Sequence, residues 1–335
     1  MNKYFITGGC GFIGSNFIRY ILNQDNNAIV VNLDKLTYAG NPKNLEEFKD
    51  DDRYTFYHGD ICDKSMVQKI FNDFDPDYLI NFAAETHVDR SVGKPDDFIN
   101  TDIFGTFTLL EAARDTNLKM FVQISTDEVY GSIENGSFSE TDALMPRNPY
   151  SASKAGADRL AYSYFTTYGL PVIITRASNN YGPYQYPEKL IPLFVTNAME
   201  DKPLPIYGDG KNVRDWLYVD DHCDGIKYII DNGKVGEIYI IGGGNELTNL
   251  EITDLILKGT NKPESLKKYV QDRLGHDRRY SLDCKKLHEL GWQPKHDFPG
   301  AMQSTIKWYQ QNDQWWKPLK SGEYLKYYKE NYKGL

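Results

Sequence analysis

The stretch Gly8-Gly9-Cys10-Gly11-Phe12-Ile13-Gly14 does most to limit what this chain can fold into. It follows the apolar run Lys3–Thr7 directly, opens the helix-period segment Phe12–Asn23, and carries Gly-x-Gly-x-x-Gly at Gly9, Gly11 and Gly14. Glycine at these places permits a tight strand-to-helix turn. It also lets a pyrophosphate approach the free N–H groups at the positive end of the helix. The next strand-like run, Ala28–Asp34, ends in a carboxylate 20 residues after Gly14. There an acid accepts from an adenosine ribose and repels a 2′-phosphate. The pair of features predicts a dinucleotide site that takes NAD in preference to NADP, with Lys35 next to the acid as the residue that could instead hold a 2′-phosphate.

The first half of the chain continues this alternation. Strands are expected near Lys3–Thr7, Ala28–Asp34, Tyr54–Tyr57, Tyr78–Phe82, Lys119–Ser125 and Pro171–Thr175, and helices at Phe12–Asn23, Lys64–Phe74, Asp96–Asp115 and Tyr150–Tyr168. Consecutive βαβ units of this kind build a parallel sheet with helices on both faces. The fold class is therefore α/β, a doubly wound (Rossmann) parallel sheet. After Arg176 the pattern becomes irregular and Pro183, Pro187, Pro192, Pro203 and Pro205 punctuate it, so a smaller, mixed C-terminal lobe is expected. Residues 1–176 form the expected NAD-binding domain and 177–335 mainly the substrate lobe, with later strands returning to the sheet near 216–219 and 237–241. The aromatic tail, with Trp315, Trp316, Tyr324, Tyr327, Tyr328 and Tyr332, reads as docking on the body.

Composition narrows the partners. Lys and Arg number 38 against 47 Asp and Glu, a net charge of −9, and such a surface repels nucleic acid. A phosphorylated ligand must then be held by a local set of cations and N–H groups. Cys10, Cys62, Cys223 and Cys284 lie far apart with no His at ligand spacing, so neither a metal site nor a disulfide framework is expected. No leader-like apolar segment opens the chain, and no run approaches the ~18 apolar residues of a membrane span. With a mean hydropathy of −0.58, a soluble, cytoplasmic protein is expected.

Two clusters carry chemistry. The fifth strand runs into Ser125-Thr126-Asp127-Glu128 at the carboxyl edge of the sheet, where ligands of this fold bind. Downstream, Pro149 leads Tyr150-Ser151-Ala152-Ser153-Lys154, and a Tyr and a Lys four apart share one helix face. An ammonium beside a phenol favours the phenolate, making Tyr150 a general base for a sugar hydroxyl as hydride leaves. Tyr207 and Lys211 have the same spacing, but Gly208 and Gly210 between them predict a turn. Asp127 and Glu128 are adjacent acids whose repulsion raises one of them, leaving a neutral acid beside an ionised base. Eliminating water needs that combination. Thr126 adds a hydroxyl that orients the reacting oxygen.

These segments resemble the extended short-chain dehydrogenase/reductases, and among them the dTDP-glucose 4,6-dehydratase family. The resemblance covers nearly the whole chain and is carried by TGGCGFIGSNF, VNLDKLTYAGN, AAETHVDRSV, ISTDEVYG, PYSASKAGAD, SNNYGPYQYPEKLIPL, PIYGDGKNVRDWLYVDDH and DRLGHDRRY. It implies oxidation at glucosyl C4 by bound NAD, elimination of water across C5 and C6, and return of hydride to C6. By the same resemblance Thr126 binds the 4-hydroxyl, Asp127 is the acid, Glu128 the base and Tyr150 the oxidation base supported by Lys154. It assigns NAD contacts to Gly8, Gly11, Phe12, Ile13, Gly14, Asp34, Lys35, Leu36, Thr37, Asp60, Ile61, Ala83, Ala84, Thr101, Tyr150, Lys154 and Asn180. The sugar nucleotide falls to His87, Thr126, Asn179, Lys189, Leu190, Pro205, Tyr207, Arg214, Asn249, Arg273 and His276, so that Lys189, Arg214 and Arg273 form the local cationic set. Leu274 stands where the family usually has Pro, and Ala177 where Cys is common. A homodimer through Asp96–Asp115 and Tyr150–Tyr168 is also implied. Competing readings are a UDP- or CDP-glucose dehydratase, a 4-epimerase or decarboxylase of the same fold, and a catalytically silent NAD-binding regulator.

Overall fold

The computed structural model describes residues 1–272, 276–322, 324–326, 328 and 332. Strands β1 (Asn2–Thr7), β2 (Ala28–Asp34), β3 (Tyr54–His58), β4 (Tyr78–Asn81), β5 (Met120–Thr126) and β6 (Val172–Ala177) are followed by β7 (Asn179–Tyr181), β8 (Leu204–Tyr207), β9 (Val213–Tyr218), β10 (Ile238–Ile241), β11 (Glu246–Thr248) and β12 (Lys267–Val270). Seven of them form one sheet in the order β10-β6-β5-β4-β1-β2-β3, parallel throughout. The order reverses between β1 and β4, and the crevice at the carboxyl ends of those strands is where this topology opens a binding site.

The sheet is buried on both faces, which is why β1 reads as a continuous apolar run instead of an alternation. Tyr4 and Ile6 pack with Phe17, Ile18 and Ile21 of the helix Phe12–Gln24 and with Ile226 and Ile229 of Val219–Asn232. On the other face Phe5 packs with Val67, Ile70 and Phe71 of Lys64–Phe74, Leu109 and Leu110 of Thr106–Ala113, and Ala161 of Pro149–Tyr168. Truncating a fully buried aromatic such as Phe5 to Ala in such a layer costs about 3–5 kcal/mol. A third core, with Phe194, Trp216, Ile252, Met302, Tyr309 and Trp316, belongs to the smaller lobe, and it also holds Tyr324 and Tyr332 from the tail. Among the described residues no helix is long and apolar enough to cross a membrane.

Two expectations need correction. The strand near 216–219 does not return to the large sheet: β9 pairs in parallel with β7 and antiparallel with β11. It lies between two cores, with Leu217 and Val219 in the sheet's core and Trp216 and Tyr218 in the lobe's. Burial on both sides imitates a central strand in the sequence while leaving its partner unspecified. The single helix expected at Asp96–Asp115 is instead three segments, Pro95–Phe98, a π-helical turn Ile99–Gly105, and Thr106–Ala113. Side-chain periodicity hardly registers one extra residue per turn.

Candidate active site

The glycine turn leaves β1 with Gly8 at φ +67°. A Cβ on Gly8 would sit 2.6 Å from the Ala83 nitrogen, and one on Gly14 would sit 2.5 Å from the Gly8 carbonyl oxygen. No side chain fits there, so the start of Phe12–Gln24 stays bare for a phosphate. At the end of β2, Asp34 accepts from the Cys10 N–H at 2.9 Å and the Leu36 N–H at 2.7 Å. Burial raises the Asp34 carboxyl above its usual range, and those N–H groups hold it back. A carboxylate has about four lone-pair sites, so capacity for a ribose remains. Lys35 bridges to Asp60 at 2.7 Å beside it. A bare turn ending in a buried acid fits a dinucleotide with a free 2′-hydroxyl.

One cleft of about 310 Å³ joins this turn to the end of β5. Its lining includes Gly8, Gly11, Phe12, Ile13, Gly14, Asp34, Lys35, Thr37, Asp60, Ile61, Ala83, Ala84, Thr101, Thr126, Asp127, Glu128, Tyr150, Lys154, Asn179, Asn180 and Lys189. At Thr126 the strand turns into a single 3₁₀ turn, Asp127–Tyr130, capped by the Thr126 hydroxyl, which accepts from the Glu128 N–H at 3.3 Å. That hydroxyl also donates to Asp127 Oδ1 at 3.0 Å, while Asp127 Oδ2 is buried with no hydrogen-bond partner among the described residues. Burial first, and the Glu128 charge second, push the Asp127 carboxyl up to about 8. Desolvation thus outweighs the repulsion expected to separate the two acids.

Tyr150 and Lys154 sit on the first turns of the helix Pro149–Tyr168. That helix is fixed by a capping box between Asn148 and Ser151 and by proline at its start. Lys154 is buried and its Nζ donates to the Ile124 carbonyl at 2.6 Å. Burial lowers its pKa, opposed by Asp102 and Asp158. The expected depression of Tyr150 is not found: burial, then the charges of Glu128, Asp102 and Asp127, hold the phenol well above its ordinary value. Tyr207–Lys211 is a turn, with Gly208 and Gly210 at φ +55° and +70°.

Several expected contacts lie outside this cleft. Leu36 is beside it with φ +53°. Lys189, within the cleft, donates to the Thr86 carbonyl at 2.7 Å, just ahead of the helix that starts with Leu190. His87 is buried, 4.0 Å from Glu188. Pro205 and Tyr207 lie on β8, where the Tyr207 ring meets His276 edge-on at 6.0 Å. Arg214 on β9 is buried, donates to the Val213 and Asp277 carbonyls at 2.8 and 2.9 Å, and stacks 4.3 Å over Tyr280. Asn249 opens the helix Asn249–Thr260, its N–H bonded to the Asn212 carbonyl at 3.1 Å. Arg273 and Leu274 lie outside the described residues.

Sequence reasoning missed three lining or supporting groups. Glu85 lines the cleft and is pushed up to about 7 by burial and by the charges of Asp102 and Asp97. His222 is pushed down to about 3 by burial, so it is neutral, and its Nδ1 donates to Asn180 Oδ1 at 2.9 Å. Asp102 is buried in the π-helical turn. His222 and Glu85 stood within quoted segments, whereas nothing local marked Asp102.

A nucleotide-binding sheet whose carboxyl edge carries both a Tyr–Lys helix and an acid pair is the architecture of the extended short-chain dehydrogenase/reductases. The family model described as GDP-mannose 4,6 dehydratase matches residues 5–305. The dTDP-glucose 4,6-dehydratase of Salmonella typhimurium is 47% identical over 360 residues, 99% of each chain. The crystal structure of DesIV, a dTDP-glucose 4,6-dehydratase from Streptomyces venezuelae with NAD and TYD bound, superposes with a TM-score of 0.92 at 49% identity, covering 95% of this chain and 100% of that one. A UDP-glucose 4-epimerase from Thermotoga maritima shares the fold at a TM-score of 0.86 but only 29% identity, over 92% and 99% of the two chains. The chain belongs to the nucleotide-sugar 4,6-dehydratase family, on the branch of the dTDP-glucose enzymes.

Proposed function

We propose that this protein converts dTDP-glucose to dTDP-4-keto-6-deoxyglucose with NAD held throughout the cycle. The observation that carries the reading is the buried acid Asp127 next to Glu128, in the same cleft as Tyr150 and Lys154. Residues 1–176 hold NAD through the Gly8–Gly14 turn, Asp34 and Lys35, and the lobe of 177–335 mainly holds the sugar nucleotide. When bound by the Gly8–Gly14 turn and Asp34, NAD would supply the hydride acceptor for C4 and the hydride donor for C6, with a cationic nicotinamide ring in a cleft crowded with carboxylates.

Tyr150 takes the proton of the C4 hydroxyl, which Thr126 orients, and Lys154 stabilises the phenolate. The resulting 4-keto group makes the C5 proton acidic. Glu128 removes it while the protonated Asp127 delivers its proton to the C6 hydroxyl, which leaves as water. Glu128 then returns the proton to C5. Over one turnover Tyr150 gains a proton and Asp127 loses one. Thr126 hydrogen-bonds to both, giving a short route by which that proton resets the site. Arg214, Lys189 and Arg273 supply the cations for the diphosphate.

The same reading includes a cytoplasmic homodimer packed through Asp96–Asp115 and Tyr150–Tyr168, whose outer faces expose Ile99, Phe104 and Tyr162. Turnover of dTDP-, UDP- and CDP-glucose by the purified protein tests the proposal. A kcat/KM highest for dTDP-glucose supports it. Preference for UDP- or CDP-glucose overturns the nucleotide, and product that is only the C4 epimer overturns the reaction.

A further inference from the structure

Lys154 is a buried ammonium, and its Nζ makes a hydrogen bond to a neutral carbonyl, that of Ile124 at 2.6 Å. A buried charge needs an opposite charge close by. Two carboxylates act on it, Asp158 and Asp102. Asp158 is already committed. Arg176 donates to it twice, from Nε to Oδ2 at 2.8 Å and from Nη2 to Oδ1 at 3.1 Å, and Arg159 Nε adds a third bond to Oδ1 at 2.8 Å.

Asp102 is in the opposite situation. It is 1% exposed, and its two oxygens accept from neutral donors, the Ser153 hydroxyl at 2.5 Å and the Glu85 N–H at 2.9 Å. Ser153 is the residue next to Lys154, and the π-helical turn Ile99–Gly105 delivers Asp102 to it. A π-turn costs hydrogen-bond quality and tends to persist where it serves a site. One buried cation and one buried anion, each otherwise bonded to neutral groups, are thus held by consecutive residues of the Pro149–Tyr168 helix, Lys154 and Ser153.

We propose that Asp102 is the buried counter-ion of Lys154, a positioning residue that keeps the ammonium charged beside Tyr150. The inference rests on the reading of Tyr150 and Lys154 as the oxidation base. The titratable groups facing this point are Lys154, Tyr150 and Asp158 on the helix, Glu85 after β4, and Glu128 and Asp127 across the cleft, with Asp97, Lys35 and Arg90 acting on Glu85. Burial pushes Asp102 itself up to about 6, with Lys154 and Ser153 opposing it, so at neutral pH and above it carries its charge.

The test uses the full chain labelled with [15N]lysine and titrated by NMR, with the Lys154 resonance assigned by its loss in K154M. Asp102→Asn and the smaller Asp102→Ser remove the charge, while Ser153→Ala removes the hydrogen bond and leaves the charge. The midpoint of Lys154 is expected to fall by about one pH unit or more in D102N and D102S, and to stay within about 0.3 unit in S153A. The alkaline limb of C4 oxidation, followed in single turnover, moves by the same amount. An unmoved midpoint in the Asp102 variants, or an equal shift in S153A, overturns the counter-ion role. Because the titration needs no substrate, failure of the wild-type protein to act on dTDP-glucose would strike the reaction alone, and the Lys154 midpoint would still decide Asp102.

Discussion

Asp127→Asn separates the first half of the cycle from the second. The folded protein moves this carboxyl from 3.8 to about 8. At pH 7 that makes it roughly nine-tenths protonated, whereas an unperturbed Asp would hold its proton in about one molecule in 1,600. Burial thus multiplies the supply of acid on the order of 10³-fold. Asparagine keeps the shape and the neutrality but has no proton to give. Elimination should fall by about 10²–10⁴, while C4 oxidation proceeds and, with Glu128 intact, C5 continues to exchange with solvent. Single-turnover quenching with dTDP-glucose, with 340 nm absorbance and NMR of the sugar, reads each step. In the wild type elimination should be flat below pH 8 and decline above it as Asp127 ionises. The folded value lies above the unfolded one, so Asp127 lowers stability progressively as pH rises from about 4 through 8. D127N should therefore be the more stable protein at pH 8–9 by up to a few kcal/mol, with no difference near pH 4. A variant that eliminates water within about threefold of wild type, or that shows no pH-dependent gain in Tm, would exclude Asp127 as the buried acid of the elimination.

Three further outcomes are expected. Asp34→Ser should weaken NAD binding by about tenfold or more while changing NADP binding less, as measured by calorimetry; equal losses for both would remove the argument for NAD preference. Gly14→Ala places a Cβ 2.5 Å from the Gly8 carbonyl, so NAD binding should be lost in a chain with near-native circular dichroism, and retained affinity would mean the turn has room to shift. Arg176→Met leaves Asp158 with Arg159 alone, on one oxygen, and Tyr130 without its 2.6 Å partner. Because Arg159 remains, urea unfolding should show a loss of about 3 kcal/mol, the lower end for a broken buried pair, and a loss below about 1 kcal/mol would place Asp158 in a wetter site than its burial indicates.

What could be read in advance was local. The Gly8–Gly14 turn, Asp34 at the end of β2, the acid pair after β5 and the Tyr150–Lys154 helix are each short-range patterns with a fixed place in a parallel sheet. The structure brings all four to one cleft. What depended on contacts between distant residues was not legible. Trp216-Leu217-Tyr218 reads as a central strand because both its faces are buried, yet its neighbours are β7 and β11. Asp127 is raised more by burial than by Glu128, and no spacing rule measures burial. Tyr150 is raised by burial and then by carboxylates that include Asp102, 48 residues away along the chain. Its effect exists only because a π-turn carries it to Ser153.

In this mechanism one cleft oxidises C4, removes water from C5 and C6, and returns the hydride. Incubating the protein with dTDP-glucose in deuterated water, with mass spectrometry and proton NMR of the nucleotide sugar, tests it most directly. The expected result is loss of one water, a 4-keto-6-deoxy product carrying deuterium at C5, and no net reduction of NAD. Recovery of unchanged sugar, of the C4 epimer, or of one NADH per product would contradict it.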